Sequence, residues 1–243
     1  MKSICLIGKG PSAVHADEFM NDSDDVAAIN DGGIFTNRDV DYCFCTHNYY
    51  TTLKGTVHKI KNIVTPLKHL TPEWANTGLG GMHLLDEVKN VNKIIYEEDK
   101  CTGNFIHLTK RIIEGGICHH HTSSAGLHWL AKHGKYDLIK VVGVDGGIGY
   151  APGAYFHQPT IDLLNKGLYE KTGIKNRIHD ECKEVFMRLV GILENVYDCK
   201  ITLYASKDNA PVAILPIEGV KDRFAKVHYD AHTGEYKIVD DSI

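Results

Sequence analysis

The sequence predicts an α/β fold in which helices flank a mostly parallel β-sheet. Short apolar runs of strand length alternate along the chain with segments of helical periodicity. The apolar runs are nearly continuous, as expected of strands that are covered on both faces. The clearest examples are segments 3–8 and 137–147, because each is an apolar run that leads into a glycine-rich turn.

The predicted elements follow one another in β-α-β order up to about residue 206. Strands are predicted at 3–8, 26–30, 41–46, 61–66, 92–97, 137–147 and 200–206. Helices are predicted at 12–20, 104–116, 123–135 and 179–197. Gly134 is the predicted C-cap of the third helix. The last helix carries apolar residues at helical spacing from Val185 to Val196.

Two further segments complete the predicted organisation. The segment of about 146–178 is rich in aromatic residues, glycine and proline and is too long for a simple connection, so we expect a lid over a site. Alternating residues around His232-Thr233-Gly234 predict a β-hairpin. We therefore expect a catalytic domain at 1–211, lid included, and a C-terminal appendage at 212–243. The hairpin is a candidate contact for a homo-oligomer or a closure of the fold.

Composition excludes several classes of protein. The 243 residues are 43% hydrophobic and carry a net charge of −4, so they suit a globular domain and give no basic excess for a nucleic-acid partner. No apolar run approaches the ~20 residues of a membrane span. The run after Lys2 is about half the usual length of a signal-peptide core. Seven cysteines without a C-x-x-C pair predict reduced, buried thiols and a cytoplasmic protein.

Two segments resemble metal sites, and neither predicts one. Cys118 to His121 reads Cys-His-His-His, but adjacent side chains diverge and no second ligand pair follows at zinc-finger spacing. Asp39 and Asp41 precede their strand, whereas a pair that holds the metal of a nucleotide diphosphate should follow one. We therefore expect no metal.

Polar and glycine residues collect after the predicted strands, where ligands bind in parallel α/β sheets. Gly8 and Gly10 allow a backbone to approach a ligand, and Ser12 offers a hydroxyl at a helix N-terminus after Pro11. The turn is neither a P-loop nor G-x-G-x-x-G, so a purely structural turn is the alternative. Asn30 is a candidate ribose or base contact, or else a turn residue before the Gly32-Gly33 pair.

Three other positions are candidates for chemistry. Thr122 to Ser124 either cap the following helix or bind a phosphate or carboxylate. Asp145 either accepts a hydrogen bond from a substrate hydroxyl or serves as a turn residue. His157 in the lid and His179 at the predicted start of the long helix are candidate bases.

Taken in order, these motifs resemble the bacterial sialyltransferases that use CMP-sialic acid and have a variant Rossmann-like fold. The resemblance covers roughly residues 1–205. It rests on the G-x-G-P-S turn, an Asn after the second strand, an Asn turn after the third, the T-S-[SG] turn, the G-[VI]-D strand end and a long helix that feeds I-x-L-Y. It implies inverting, metal-independent transfer of a sialic-acid-like sugar. The donor is CMP- or otherwise nucleotide-activated, and the acceptor is a hydroxyl of a glycan or small molecule.

The resemblance also implies site residues. The nucleotide would contact Gly8, Gly10, Pro11, Ser12, Asn30, Asn48, Thr122, Ser123 and Ser124, and we add Lys9 and Asp31 from the same turns. Tyr150 and Tyr155 match the phosphate-stabilising tyrosines, and the general base best matches His179. The chain departs from the family at Lys9, where the family has asparagine, and at Ser124, where it has glycine.

Two other functions are alternatives to the sialyltransferase interpretation. Archaeal-type pterin diphosphokinases are also similar in the G-x-G-P-S start and the Asp31-Gly32 turn. This second resemblance implies transfer of diphosphate from ATP to a hydroxymethylpterin-like substrate, with Mg²⁺ held by Asp31 and Asp145. The other alternative is a nucleotide-binding module without catalysis. No cofactor is expected except Mg²⁺ in the diphosphokinase case.

Overall fold

The computed structural model describes most of the chain. The described residues are 1–45, 53, 56–70, 90–99, 105–118, 121–144, 174–206, 224–230 and 235–239. Within these ranges, side chains are not described at 11, 69, 105–108, 174–185 and from 205 onward.

The described residues form a nine-stranded sheet. Its strands are β1 (Ser3–Ile7), β2 (Asp25–Ile29), β3 (Val40–Phe44), β4 (Ile60–Pro66), β5 (Asn92–Tyr96), β8 (Leu138–Val142), β9 (Lys200–Ser206), β10 (Phe224–Asp230) and β11 (Glu235–Val239). Their order across the sheet is β11-β10-β9-β8-β1-β2-β3-β4-β5. All neighbours from β9 to β5 are parallel, and β10 and β11 pair antiparallel. A separate parallel pair joins β6 (Glu98–Asp99) to β7 (Ile117–Cys118). The predicted α/β class with a mostly parallel sheet is confirmed.

Helices lie between β1 and β2, between β5 and β8 and between β8 and β9, as expected of crossovers between parallel strands. They are α1 (Ala16–Met20), α2 (Phe105–Glu114), α3 (Thr122–His133) and α4 (Ile174–Tyr197). Short 3₁₀-helices span Pro11–His15, Asn30–Phe35, Val57–Lys59 and Leu67–Leu70. None of the helices in the described part of the chain has the length and apolarity needed to cross a membrane.

The central strands β1, β2 and β8 are buried along almost their whole length, because both faces of the sheet are covered there. On one face, Ile4 and Leu6 of β1 belong to a core that includes residues of α2, α3 and α4. On the other face, Cys5 and Ile7 belong to a second core that includes residues of α1. Alternation of side chains along each strand divides one apolar run between the two cores. The nearly continuous apolar runs therefore did indicate buried parallel strands.

Lys140 is a buried charge in strand β8, and it joins α1 to the sheet. Its ammonium donates to the carbonyl oxygen of Phe19 (3.0 Å) and contacts the carboxylate of Asp22. The hydrogen bond from Lys140 lowers the pKa of Asp22. The long lysine stem brings the buried ammonium to Asp22, whose own side chain is exposed.

Helix α4 begins at Ile174, so residues 174–178 are helical although the sequence predicts them as the end of the lid. Ile174 and Ile178 extend the apolar i, i+4 spacing of the helix N-terminally, and the nearby glycines and lysines obscure this signal. The rest of the predicted lid lies outside the described residues.

The antiparallel pair of β10 and β11 runs from Lys226 opposite Val239 to Asp230 opposite Glu235. The predicted turn between these strands lies outside the described residues. Strand β10 also pairs with β9, so the sheet continues into the segment predicted as an appendage.

The cysteines whose side chains the structure describes are of two kinds. Cys5, Cys43, Cys45 and Cys199 are free and buried, and burial raises the pKa of Cys5 to about 12. A thiol whose pKa is raised this far is protonated and unreactive at neutral pH. Cys118 is disulfide-bonded, so the prediction that all the thiols are reduced is wrong at this position.

Candidate functional site

The strand order reverses between β1 and β8. From β1 the chain adds β2, β3, β4 and β5 on one side, and it then adds β8 and β9 on the other. Connections that leave neighbouring strands in opposite directions open a crevice at their carboxyl ends, and ligands of open α/β sheets bind in this crevice. The residues that follow β1 and β8 are therefore the first candidates for a site.

Backbone hydrogen bonds join the turns after β1 and β8. The amide N–H of Gly8 donates to the carbonyl oxygen of Val142 and that of Gly10 to Gly143, both at 2.7 Å. A Cβ atom on Gly8 would lie 2.2 Å from the carbonyl oxygen of Gly143. These glycines let two turns touch, and their amides already have acceptors within the protein. The G-x-G-P-S turn therefore forms the floor of the crevice.

Ser12 strengthens this floor. Its hydroxyl accepts a hydrogen bond from the Gly143 amide (2.8 Å) and donates one to the carbonyl oxygen of Tyr204 (3.3 Å). Pro11 precedes it as the first residue of a 3₁₀-helix. A single buried hydroxyl thus ties the turn after β1 to the ends of β8 and β9.

Replacing Ser12 by alanine is expected to lower the free energy of unfolding by about 1–3 kcal/mol, because the buried Gly143 amide then lacks its acceptor. Urea denaturation measures the change. Ser123→Ala is the control, since the described residues give the half-buried Ser123 no hydrogen-bond partner and a change within about 0.5 kcal/mol is expected. Equal losses in the two variants would refute the role of Ser12.

An ion pair joins the turns after β1 and β2. The ammonium of Lys9 lies 3.2 Å from Oδ1 of Asp31, and the two side chains are 16% and 5% exposed. A Cβ atom on Gly32 would lie 2.5 Å from the carbonyl oxygen of Ile7, so the turn after β2 packs directly on the end of β1. The pair therefore lies beside the floor of the crevice.

Asn30 precedes Asp31 in the left-handed region, with φ of 53°. Asparagine tolerates this conformation better than most residues. Its carbonyl oxygen accepts a hydrogen bond from the Cys43 thiol (3.3 Å). Its side-chain oxygen is buried and has no hydrogen-bond partner among the described residues. An unsatisfied polar atom of this kind, next to a crevice, is a candidate ligand contact.

Helix α3 begins at the same edge of the sheet. It ends at His133 shortly before β8 begins, so it runs antiparallel to the strands and starts near their carboxyl ends. A Cβ atom on Gly126 would lie 3.0 Å from the ring of Phe44, the last residue of β3. The first turn of α3 therefore lies over the carboxyl end of the sheet, on the face opposite α1.

The cap of α3 uses one residue that the sequence did not indicate as a cap. His121 is the N-cap: its side chain accepts a hydrogen bond from the Ser124 amide, and its own amide donates to the Ser124 hydroxyl (2.9 Å). The Ser124 hydroxyl also donates to the His121 carbonyl oxygen (2.8 Å). Ser124 therefore serves the cap, and Thr122 and Ser123 occupy the first two helical positions. Histidine is an uncommon N-cap, which is why propensity did not indicate it.

Several predicted site residues lie outside the described part of the chain: Asn48, Asp145, Tyr150, Tyr155 and His157. His179 is in the described backbone, near the start of α4, but its side chain is not described. Among the described residues, no group of three His, Cys, Asp or Glu side chains could hold a metal ion.

His128 is a fully buried histidine of α3 that sequence reasoning left out. Its Nδ1 accepts a hydrogen bond from the Cys118 amide (2.8 Å), so the proton must reside on Nε2. Nε2 then donates to the Tyr197 hydroxyl (3.3 Å), which donates to the carbonyl oxygen of Ile112 (3.0 Å). Burial lowers the pKa of His128 to about 3, with Lys132 and His133 adding to the effect. The neutral imidazole joins β7 and α3 to α4 and α2.

Comparison with known proteins adds no relative: no family model, curated protein or solved structure matches the chain.

Proposed function

We propose that the protein is a glycosyltransferase that moves a sialic-acid-like sugar from a CMP- or other nucleotide-activated donor to an acceptor hydroxyl, with inversion and without a metal. The observation that carries this proposal is the reversal of strand order between β1 and β8. The Gly8–Ser12 turn lies at this point, and the Asn30-Asp31 turn is next to it. These are the turns in which the sequence predicts nucleotide contacts.

The described residues support different roles within this site. Gly8, Gly10, Pro11 and Ser12 form the floor, since two of their amides and the hydroxyl bond within the protein. We assign the contacts with the nucleotide to the side chains of Lys9, Asn30, Asp31, Thr122 and Ser123, together with Asn48. Ser124 acts through the cap of α3. A nucleotide would thus lie across the carboxyl ends of β1 and β2 and extend towards α3.

The proposed reaction is a single displacement. The acceptor oxygen attacks the anomeric carbon while the bond to the nucleotide phosphate breaks, and a histidine takes the acceptor proton. We assign this base to His179, with His157 as the alternative. A positioned base near its working pH contributes a rate factor of about 10² to 10⁴. Tyr150 and Tyr155 would donate hydrogen bonds to the departing phosphate, and Asp145 would orient the acceptor hydroxyl.

The ion pair favours the metal-independent reaction over the diphosphokinase. The Lys9 ammonium lies 3.2 Å from the Asp31 carboxylate, in the region where a Mg²⁺ bound by Asp31 would have to sit. Two cations at this distance repel each other, so Mg²⁺ could bind Asp31 only after Lys9 has moved away from it.

A thermal-shift screen against CMP, CDP, UDP, GDP, ADP and ATP, each with Mg²⁺ or with EDTA, tests the proposal. CMP or another nucleotide of an activated sugar is expected to raise the melting temperature equally in both conditions. At 100 times its Kd, a ligand adds about 2.7 kcal/mol to the free energy of unfolding. Inorganic phosphate is the control for unspecific anion binding.

The other possible results of the screen distinguish between the alternative functions. A shift with ATP only when Mg²⁺ is present would favour the diphosphokinase. No shift with any nucleotide would refute the nucleotide site. Release of CMP from CMP-sugars in EDTA then separates the transferase from a module that binds without catalysis.

A further inference from the structure

The position of Asp31 has a counterpart in other nucleotide-binding α/β folds. In dinucleotide-binding folds an acidic residue roughly 20 residues after the glycine turn, near the end of the second strand, accepts a hydrogen bond from the ribose 2′-hydroxyl. Asp31 follows the Gly8–Gly10 turn at this spacing and comes two residues after Ile29, the last residue of β2. The chain lacks the G-x-G-x-x-G sequence of those folds, so spacing and place in the sheet carry the comparison.

Fold stability alone does not account for the Lys9–Asp31 pair. Withdrawing two charges from water costs free energy that their attraction only partly returns, and apolar side chains of similar size often stabilise a fold equally well. The chain has a contrasting pair at the amino ends of the strands, where Lys61 contacts Asp41 at 2.8 Å with 55% of the lysine side chain exposed. The Lys9–Asp31 pair, which is largely shielded from water, lies at the crevice. The solvated Lys61–Asp41 pair lies at the opposite edge of the sheet.

We propose that the Lys9–Asp31 pair selects a ribonucleoside phosphate, with Asp31 accepting hydrogen bonds from the ribose hydroxyls and Lys9 binding the phosphate. This inference rests on the proposed nucleotide site and states which part of the ligand each side chain binds. It makes the site specific for ribose over 2′-deoxyribose and for a nucleotide over a nucleoside.

Ligand binding then exchanges one set of contacts for another. Lys9 is the more exposed member of the pair, so it covers the carboxylate when no ligand is bound. Its ammonium is a compact charge on a flexible four-carbon stem and can turn from Asp31 to a phosphate. The vacated carboxylate accepts the ribose hydroxyls, which donate hydrogen bonds as the ammonium did. The phosphate replaces the carboxylate as the partner of the lysine, so each group of the pair keeps a polar partner, and the net charge of the site changes by the charge of the phosphate.

Isothermal titration calorimetry with CMP, 2′-deoxy-CMP and cytidine tests the inference on the unaltered protein, so it does not depend on a variant that folds. We expect 2′-deoxy-CMP and cytidine each to bind about 10 to 100 times more weakly than CMP, the range for one hydrogen bond to a charged group. If the screen selects another base, the same three compounds carry that base.

Three variants test which side chain causes the preference for ribose and which causes the preference for a nucleotide over a nucleoside. Asp31→Asn keeps the shape of the side chain and is expected to reduce the preference for ribose at least about fivefold. Lys9→Met in the Asp31→Asn background leaves no buried unpaired charge and is expected to reduce the preference for CMP over cytidine as well. Lys61→Met is the matched control at the opposite edge, and both preferences should persist in it.

Two results would overturn the inference while the proposed function stands: equal affinity of the unaltered protein for CMP and 2′-deoxy-CMP, or an unchanged ribose preference in Asp31→Asn. Failure of the unaltered protein to bind any nucleotide would overturn both. The two failures are therefore distinguishable in the same set of titrations.

Discussion

Replacing Gly143 by alanine is expected to lower the free energy of unfolding by about 3–4 kcal/mol. Gly143 has φ of +74°, in the left-handed region, which costs an alanine about 1–2 kcal/mol. The new methyl group would also lie 2.8 Å from the Cβ atom of Ala13 and 2.9 Å from the backbone carbon of Gly8. Overpacking of this kind costs a further 1–3 kcal/mol or so. Urea denaturation followed by circular dichroism gives the difference.

Gly33→Ala is the matched control for this variant. A Cβ atom there would have a methyl group of Val40 as its nearest neighbour, at 3.1 Å, and this side chain can move slightly. We expect a change within about 1 kcal/mol for Gly33→Ala. If Gly143→Ala were as stable as the control, the close contact between the turns after β1 and β8 would be wrong. The floor of the proposed site would then lose its basis.

The stability of the protein is expected to fall as the pH drops from 7 to 5, and His128 is expected to contribute about 2 kcal/mol of the loss. Burial lowers the pKa of His128 in the folded protein to about 3. In the unfolded chain its pKa returns to about 6.5. Below pH 6.5 the unfolded chain therefore binds a proton that the folded protein does not, so acid favours unfolding until the pH reaches about 3. Above pH 7 both states are neutral, and His128 adds no pH dependence.

His128→Gln isolates this contribution, because glutamine does not titrate. The variant should be less stable than the unaltered protein at pH 7, since it cannot make both hydrogen bonds of the imidazole. Its stability should nevertheless change about 2 kcal/mol less between pH 7 and pH 5. Urea denaturation at several pH values measures both quantities. The pKa of His133 is also lowered by burial, but His133 contributes to the pH dependence of both proteins. Parallel pH curves would show that His128 titrates normally in the folded state.

Much of the fold was predictable from local sequence. Strand β9 covers Lys200–Ser206 as predicted, and helices α2 and α3 begin and end within about two residues of their predicted bounds. These elements have strong apolar periods and clear stops, such as Gly134 at the C-cap of α3. The start of helix α4 was not predicted, because its first turn lies in a segment where glycines and lysines interrupt the apolar spacing.

The proposed site was predictable as a set of turns but not as a set of contacts. The sequence located the residues after β1 and β2, because a parallel sheet brings all carboxyl ends of its strands to one edge. It could not show that the Gly8 and Gly10 amides and the Ser12 hydroxyl bond to β8 and β9. Nor could it show the pairing of Lys9 with Asp31, or the cap that His121 forms with Ser124.

The sequence by itself determined the alternation of strands and helices, the parallel character of the sheet and the edge at which the polar and glycine-rich turns collect. These properties depend on the order of apolar and polar residues along the chain, and that order is local. Only the tertiary structure decided which glycines serve close contact, which hydroxyls are already bonded and which charges remain at the crevice. Those properties depend on strand order, because β1 pairs with β8 although more than a hundred residues separate the two strands along the chain.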